Sequence, residues 1–100
     1  MTTKSYDEFL VDQLRDPELA AAYLTAAVED GSAEELLIAL RNVADAHGGV
    51  GVLAEISHLN RQNMYKMLSP SGNPTLATLL ALLEPLGLRL AFTPVEPQSV

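Results

Sequence analysis

The sequence predicts an all-α fold of about five helices followed by one short β-strand. Three observations lead there. Cap residues bracket nearly every apolar run, the runs repeat at helical spacing, and only residues 88–92 alternate with a period of two.

Asp16-Pro17-Glu18 supplies an N-cap, a proline at the first helical position and an acid in the first turn. The helix it opens runs through Leu19-Ala20-Ala21-Ala22-Tyr23-Leu24 and should stop near Asp30-Gly31. Ser32 caps the next helix, with Glu35 completing a capping box. Its Leu36, Leu37, Leu40, Val43, Ala44 and His47 recur at helical spacing until Gly48-Gly49, and the spacing makes this a strongly amphipathic core helix. Asn73-Pro74-Thr75 opens a later helix whose Leu76, Leu79, Leu80 and Leu83 read as one buried stripe, interrupted at Glu84-Pro85 and Leu86-Gly87. Leu88, Leu90 and Phe92 then alternate with Arg89, Ala91 and Thr93, the strand signal. The tail, 94–100, contains two prolines and reads as loose.

Between these lie residues 50–68. Val50 to Ile56 suits a short helix in which Ala54 is small enough for another helix to cross closely. Ser57-His58-Leu59 forms a tight turn, and Asn60 is the N-cap of a second helix from Arg61. In that helix Met64, Met67 and Leu68 point inward, leaving Arg61, Gln62, Asn63, Tyr65 and Lys66 outward or flanking. Two short helices, a small residue in the first and an apolar residue in the turn, make a helix-turn-helix, whose second helix enters the major groove of DNA. Arginine pairs bidentately with guanine, glutamine or asparagine with adenine, and tyrosine or lysine reaches phosphate, so the outward row has the chemistry of a base reader.

Composition bounds the function. With 100 residues, 48% of them apolar and 19% charged, the chain reads as one small folded domain whose modest core favours a homodimer. It contains no cysteine and two histidines, which leaves neither a disulfide framework nor a thiolate metal site, and no metal or cofactor is expected. Neither an apolar run long enough to span a membrane nor a secretory signal is read, so the expected location is cytoplasmic. No phosphate-binding glycine loop, zinc-protease pair or nucleophile constellation occurs. Glu55 and His58 stand three residues apart without a partner for acid–base chemistry, and no catalytic residue is expected.

Net charge is −7, which by itself opposes DNA binding. The distribution changes that reading. Residues 1–40 carry the whole −7, whereas 41–100 balance four bases against four acids. The halves therefore face different partners. Within a single domain at 1–100, this separates an acidic helical part at 1–46 from a helix-turn-helix core and strand at 47–93, with the tail at 94–100.

Several segments together resemble a known family. They are Tyr6-Asp7, Leu14-Arg15-Asp16-Pro17-Glu18, Ala21-Ala22-Tyr23-Leu24, Ala39-Leu40-Arg41-Asn42-Val43-Ala44, Leu59-Asn60-Arg61, Tyr65-Lys66-Met67-Leu68-Ser69, Gly72-Asn73-Pro74-Thr75 and Leu86-Gly87-Leu88-Arg89-Leu90. The chain is similar to the addiction-module antidote proteins, the HigA-like antitoxins with a phage-repressor-type helix-turn-helix. The resemblance implies a five-helix repressor-like domain that binds double-stranded operator DNA, represses its own operon and neutralises a RelE-like, RNA-cleaving toxin. With it, the expected DNA-contacting set is Asn60, Arg61, Gln62, Asn63, Tyr65, Lys66 and Ser69. His58 stands where the family usually has glycine, at a site that often demands positive φ.

Two surfaces complete the expectation. Leu88, Leu90 and Phe92, or the Leu76 to Leu86 helix beside them, would form a two-fold dimer interface, since an isolated strand has unpaired backbone groups and an apolar face. Tyr6, Phe9, Leu10 and Leu14, rimmed by Asp7, Glu8, Asp12, Glu18 and Glu29, would meet the toxin, whose RNA-binding surface must be basic. The competing reading of those apolar residues is closure of the protein's own core. Alternatives for the whole chain are a helical interaction module without DNA binding, or a stand-alone repressor.

Overall fold

The computed structural model describes residues 6–96. Residues 1–5 and 97–100, the latter part of the tail read as loose, lie outside the described residues. Six helices are present among those described: α1 (Tyr6–Gln13), α2 (Pro17–Asp30), α3 (Ala33–Ala46), α4 (Val50–Ile56), α5 (Arg61–Met67) and α6 (Leu76–Leu83). Five coincide with the capped runs; α1 is additional, and its eight residues have no strong periodicity to announce it.

Caps act as their residue types predict. Asp16 accepts from the Glu18 N–H at 2.9 Å, Ser32 from Glu35 at 3.4 Å, Asn60 from Asn63 at 2.9 Å and Thr75 from Thr78 at 3.1 Å. Each side chain satisfies one of the donors that a helix start leaves unpaired.

The core centres on α3, which packs against α1, α2 and α4. Leu37, Ala39, Leu40, Val43, Ala44 and Ala46 are buried, and Val43 and Ala44 are sealed completely. Around them gather Leu14, Ala20, Val50, Leu53, Ala54, Met64, Leu68, Leu82, Leu83 and Leu86. Tyr23 and Asn42 join α2 to α3 by a hydrogen bond in which the Asn42 amide donates to the phenol oxygen at 2.7 Å.

Two expectations are corrected. The strand at 88–92 is not formed: residues 88–96 run without secondary structure, with Leu90 41% and Phe92 91% exposed. A strand exists only through a neighbour's backbone, and none of the described residues pairs with 88–92 as one. Nor is the α6 stripe buried as read. Leu76 and Leu80 are exposed, while Leu82, Leu83 and, beyond the helix, Leu86 enter the core. The α6 sequence LATLLALL is apolar on almost every side, so periodicity does not choose its inner face.

α4 and α5 form a tight pair. Ala54 is 1% exposed where the two pack, and Met64 and Leu68 close the inner side. The turn between them ends α4 with two hydrogen bonds, Leu59 N–H to the Ala54 carbonyl at 2.8 Å and His58 N–H to the Glu55 carbonyl at 3.2 Å. That is the Schellman arrangement, with His58 in the left-handed position at φ 58°. α3 ends identically at Gly48, with φ 101°. His58 thus holds a conformation in which a Cβ is strained. Replacing it, His58→Gly, should raise stability by about 0.5–1 kcal/mol, and His58→Val should lower it. Chemical denaturation checks both, and a destabilised glycine variant would show that the imidazole contributes more than the backbone strain costs.

Candidate nucleic-acid interface and partner surfaces

The outward row on α5 is presented by an inward one. Met64 and Leu68, four residues apart and 0% and 1% exposed, anchor the helix to the core. Arg61, Gln62, Asn63, Tyr65 and Lys66 are all exposed as a consequence, with Met67 partly buried at the flank. No acid lies on α5 itself, and Glu55 is the one acid of α4, so the pair carries Arg61 and Lys66 against a single carboxylate.

The flanking members of the expected set are differently engaged. Asn60 is exposed, but its side-chain oxygen is committed to capping the Asn63 N–H. Ser69 is half-buried, and its hydroxyl donates to the Lys66 carbonyl at 2.7 Å. Here the chain wraps the end of α5 closely enough that a Cβ on Gly72 would run into the Met67 carbonyl. The glycine of the Gly-Asn-Pro-Thr element is thus required by backbone approach.

The expected partner residues divide. Tyr6 is 77% and Phe9 55% exposed, Leu10 is half-buried against the core, and Leu14 is 2% exposed within it. Leu14 is therefore a core residue and not available as a surface anchor. Leu10 and, just past α1, Leu14 lie four residues apart and meet the core; Tyr6 continues their stripe but stands exposed as the first residue of α1, and Phe9 is exposed one position before Leu10. Of the acidic rim, Glu8, Glu18 and Glu29 are exposed and Asp12 is half-buried 3.8 Å from Arg15; the Asp7 side chain lies outside the described residues.

Leu88 packs against the core, and its N–H reaches the Leu83 carbonyl at 3.0 Å, leaving only Leu90 and Phe92 of the expected dimer residues at the surface. These two border an apolar groove of about 440 Å³ between α2, α3, α6 and the C-terminal segment, whose walls include Leu24, Val28, Leu36 and Leu79. Val28, Leu76 and Leu80 add exposed apolar surface that no charge or spacing signal in the sequence distinguishes from core. Among the described residues no helix is long and apolar enough to cross a membrane.

Fold and surfaces together define an all-helical protein equipped for contact: an exposed polar helix, the exposed aromatics Tyr6 and Phe9 on α1, and an apolar groove. The particular family follows from comparison. A model of the "probable addiction module antidote protein" family matches residues 2–94, and the chain belongs to that family. It is also similar to an uncharacterised protein of Haemophilus influenzae strain Rd, 30% identical over 89 residues that cover 89% of this chain and 91% of that one. No solved structure matches significantly. Membership points to an antitoxin and implies interaction with a cognate toxin; antidote proteins are in general not enzymes.

Proposed function

We propose that this antitoxin is also a DNA-binding transcriptional regulator of the HigA-like, phage-repressor type. In this reading α4 and α5 are a helix-turn-helix. A cytoplasmic homodimer represses its own operon and neutralises a RelE-like, RNA-cleaving toxin in a type II toxin–antitoxin pair. The chain acts as one domain, with 1–46 turned to the toxin and 47–93 to operator DNA. The observation that carries the reading is the polar face of α5, held outward by Met64 and Leu68 beyond a tight turn and almost free of acids. Gln62 and Asn63 have the donor and acceptor pair that adenine requires, while Lys66 and Tyr65 suit phosphate. A fluorescent promoter fragment titrated at several salt concentrations tests it. Gln62→Ala or Asn63→Ala should cost about 1–3 kcal/mol on the operator and little on a scrambled duplex. Lys66→Ala should weaken both alike and reduce the salt slope by about 1. A folded protein that binds neither duplex would leave a pure interaction module.

Dimerisation engages the exposed Leu90 and Phe92 and, on α6, the exposed Leu76 and Leu80. Their exposed apolar surface, next to backbone outside any helix, is what a symmetry mate would cover, and the unformed strand would then acquire its partner. Half-sites would stand one helical turn apart, about 34–36 Å. The double substitution Leu90→Asp and Phe92→Asp should yield a folded monomer by sedimentation and abolish operator binding at concentrations where wild type binds. A double variant that sediments as a dimer places the interface elsewhere.

Toxin contact falls on α1. Tyr6 and Phe9 are exposed aromatics amid carboxylates, the composition expected of anchors that meet a basic, RNA-binding surface. Tyr6→Ala with Phe9→Ala should weaken toxin binding at least tenfold, about 1.4 kcal/mol or more, while changing stability little because neither side chain is buried. Calorimetry against the neighbouring gene product measures the first and thermal unfolding the second; unchanged affinity removes α1 from the interface.

A further inference from the structure

Gly51 lies in the first turn of α4 and is buried. Its cover is Arg61, the first residue of α5. A Cβ on Gly51 would stand 2.5 Å from Nε and Nη2 and 2.8 Å from Cζ of that side chain, closer than real Cβ atoms come to any neighbour. The guanidinium therefore occupies the volume that any other residue at 51 would fill. The atoms met are the far end of an exposed, flexible side chain, so a Cβ at 51 would displace the guanidinium and not the backbone.

We propose that Gly51 is a positioning residue. By lacking a Cβ it lets the Arg61 guanidinium lie across the first turn of α4, which makes Arg61 a clamp on the DNA backbone instead of a reader of guanine. The inference deepens the DNA-binding reading and rests on it. In a helix-turn-helix the first helix crosses the phosphate backbone, while the N-terminal residues of the second meet base edges. A long side chain starting at the first residue of α5 has both destinations within reach. Drawn back over Gly51, its charge stands with the helix that meets the backbone, and contacts to phosphate hold register without distinguishing sequence. Base discrimination then falls to Gln62 and Asn63, whose side chains are exposed farther along α5.

The test compares full-length wild type, Gly51→Ala, Arg61→Ala and the double variant. Each is titrated with the promoter fragment and with a scrambled duplex over a salt series, and the arginine Nε–H resonances of the free proteins are recorded by NMR. Gly51→Ala should fold with unchanged or higher Tm, since alanine is the better helix former, and should shift the Arg61 Nε–H resonance. It should lower affinity for both duplexes by one common factor and reduce the salt slope by about 1, as should Arg61→Ala. The double variant should lose no more than Arg61→Ala alone. An unmoved Arg61 resonance in Gly51→Ala, a full salt slope in either single variant, or an Arg61→Ala loss confined to the promoter fragment overturns the proposal while leaving DNA binding intact. A folded wild type that binds neither duplex overturns the DNA-binding reading and this inference together.

Discussion

Burial of α3 is the constraint on which the rest of the structure depends. A chain this short buries few large side chains, and each fully buried leucine or valine contributes about 1.5–3 kcal/mol. α3 concentrates that burial: it is contacted by α1, α2 and α4, and its Val43 and Ala44 are completely enclosed. Small residues at 39, 44 and 46 let neighbouring helices approach, and leucines at 37 and 40 fill the space left between them. Only with α3 in place does Leu14 have a core to enter, while Tyr6 and Phe9 stay exposed on α1.

The same helix aims the polar surface. α3 ends in a Schellman turn at Gly48, after which α4 departs at 79°. A second turn of the same kind, at His58, folds α5 back over Ala54. Positive-φ residues in both turns, Gly48 and Gly49 in the first and His58 in the second, thus orient the face that carries Gln62, Asn63 and Lys66. Glycine adopts that backbone freely; histidine holds it because the carbonyls of Ala54 and Glu55 are satisfied there and Leu59 is drawn partly into the core.

Charge and shape are divided along the chain in one pattern. Carboxylates gather on α1, α2 and the start of α3, away from the sparsely charged pair formed by α4 and α5. Separated in this way, the acidic part and the sparsely charged pair present different electrostatic fields to whatever approaches them. The apolar groove beside Leu90 and Phe92 is lined by residues of α2, α3 and α6 and by none of α4 or α5.

What the sequence determined by itself was local. Asp16, Ser32, Asn60 and Thr75 mark helix starts because their side chains bond backbone a few residues away, and α5 is legible as inward Met64 and Leu68 against outward polar residues because periodicity needs only a nearby core. The family was also legible, since its motifs are contiguous. Tertiary structure decided whatever required a distant partner. It chose Leu82 and Leu83 over Leu76 and Leu80 as the inner face of a helix apolar almost all round, and it placed Leu14 inside while leaving Phe9 out. It withheld the strand at 88–92, because alternation supplies a suitable surface but only another backbone supplies the hydrogen bonds. It brought Arg61 over Gly51, ten residues apart in sequence, where no spacing rule connects them. Side chains that bond their own turn of backbone can be read in order along the chain; those that pack across elements acquire an inside and an outside only when the elements meet.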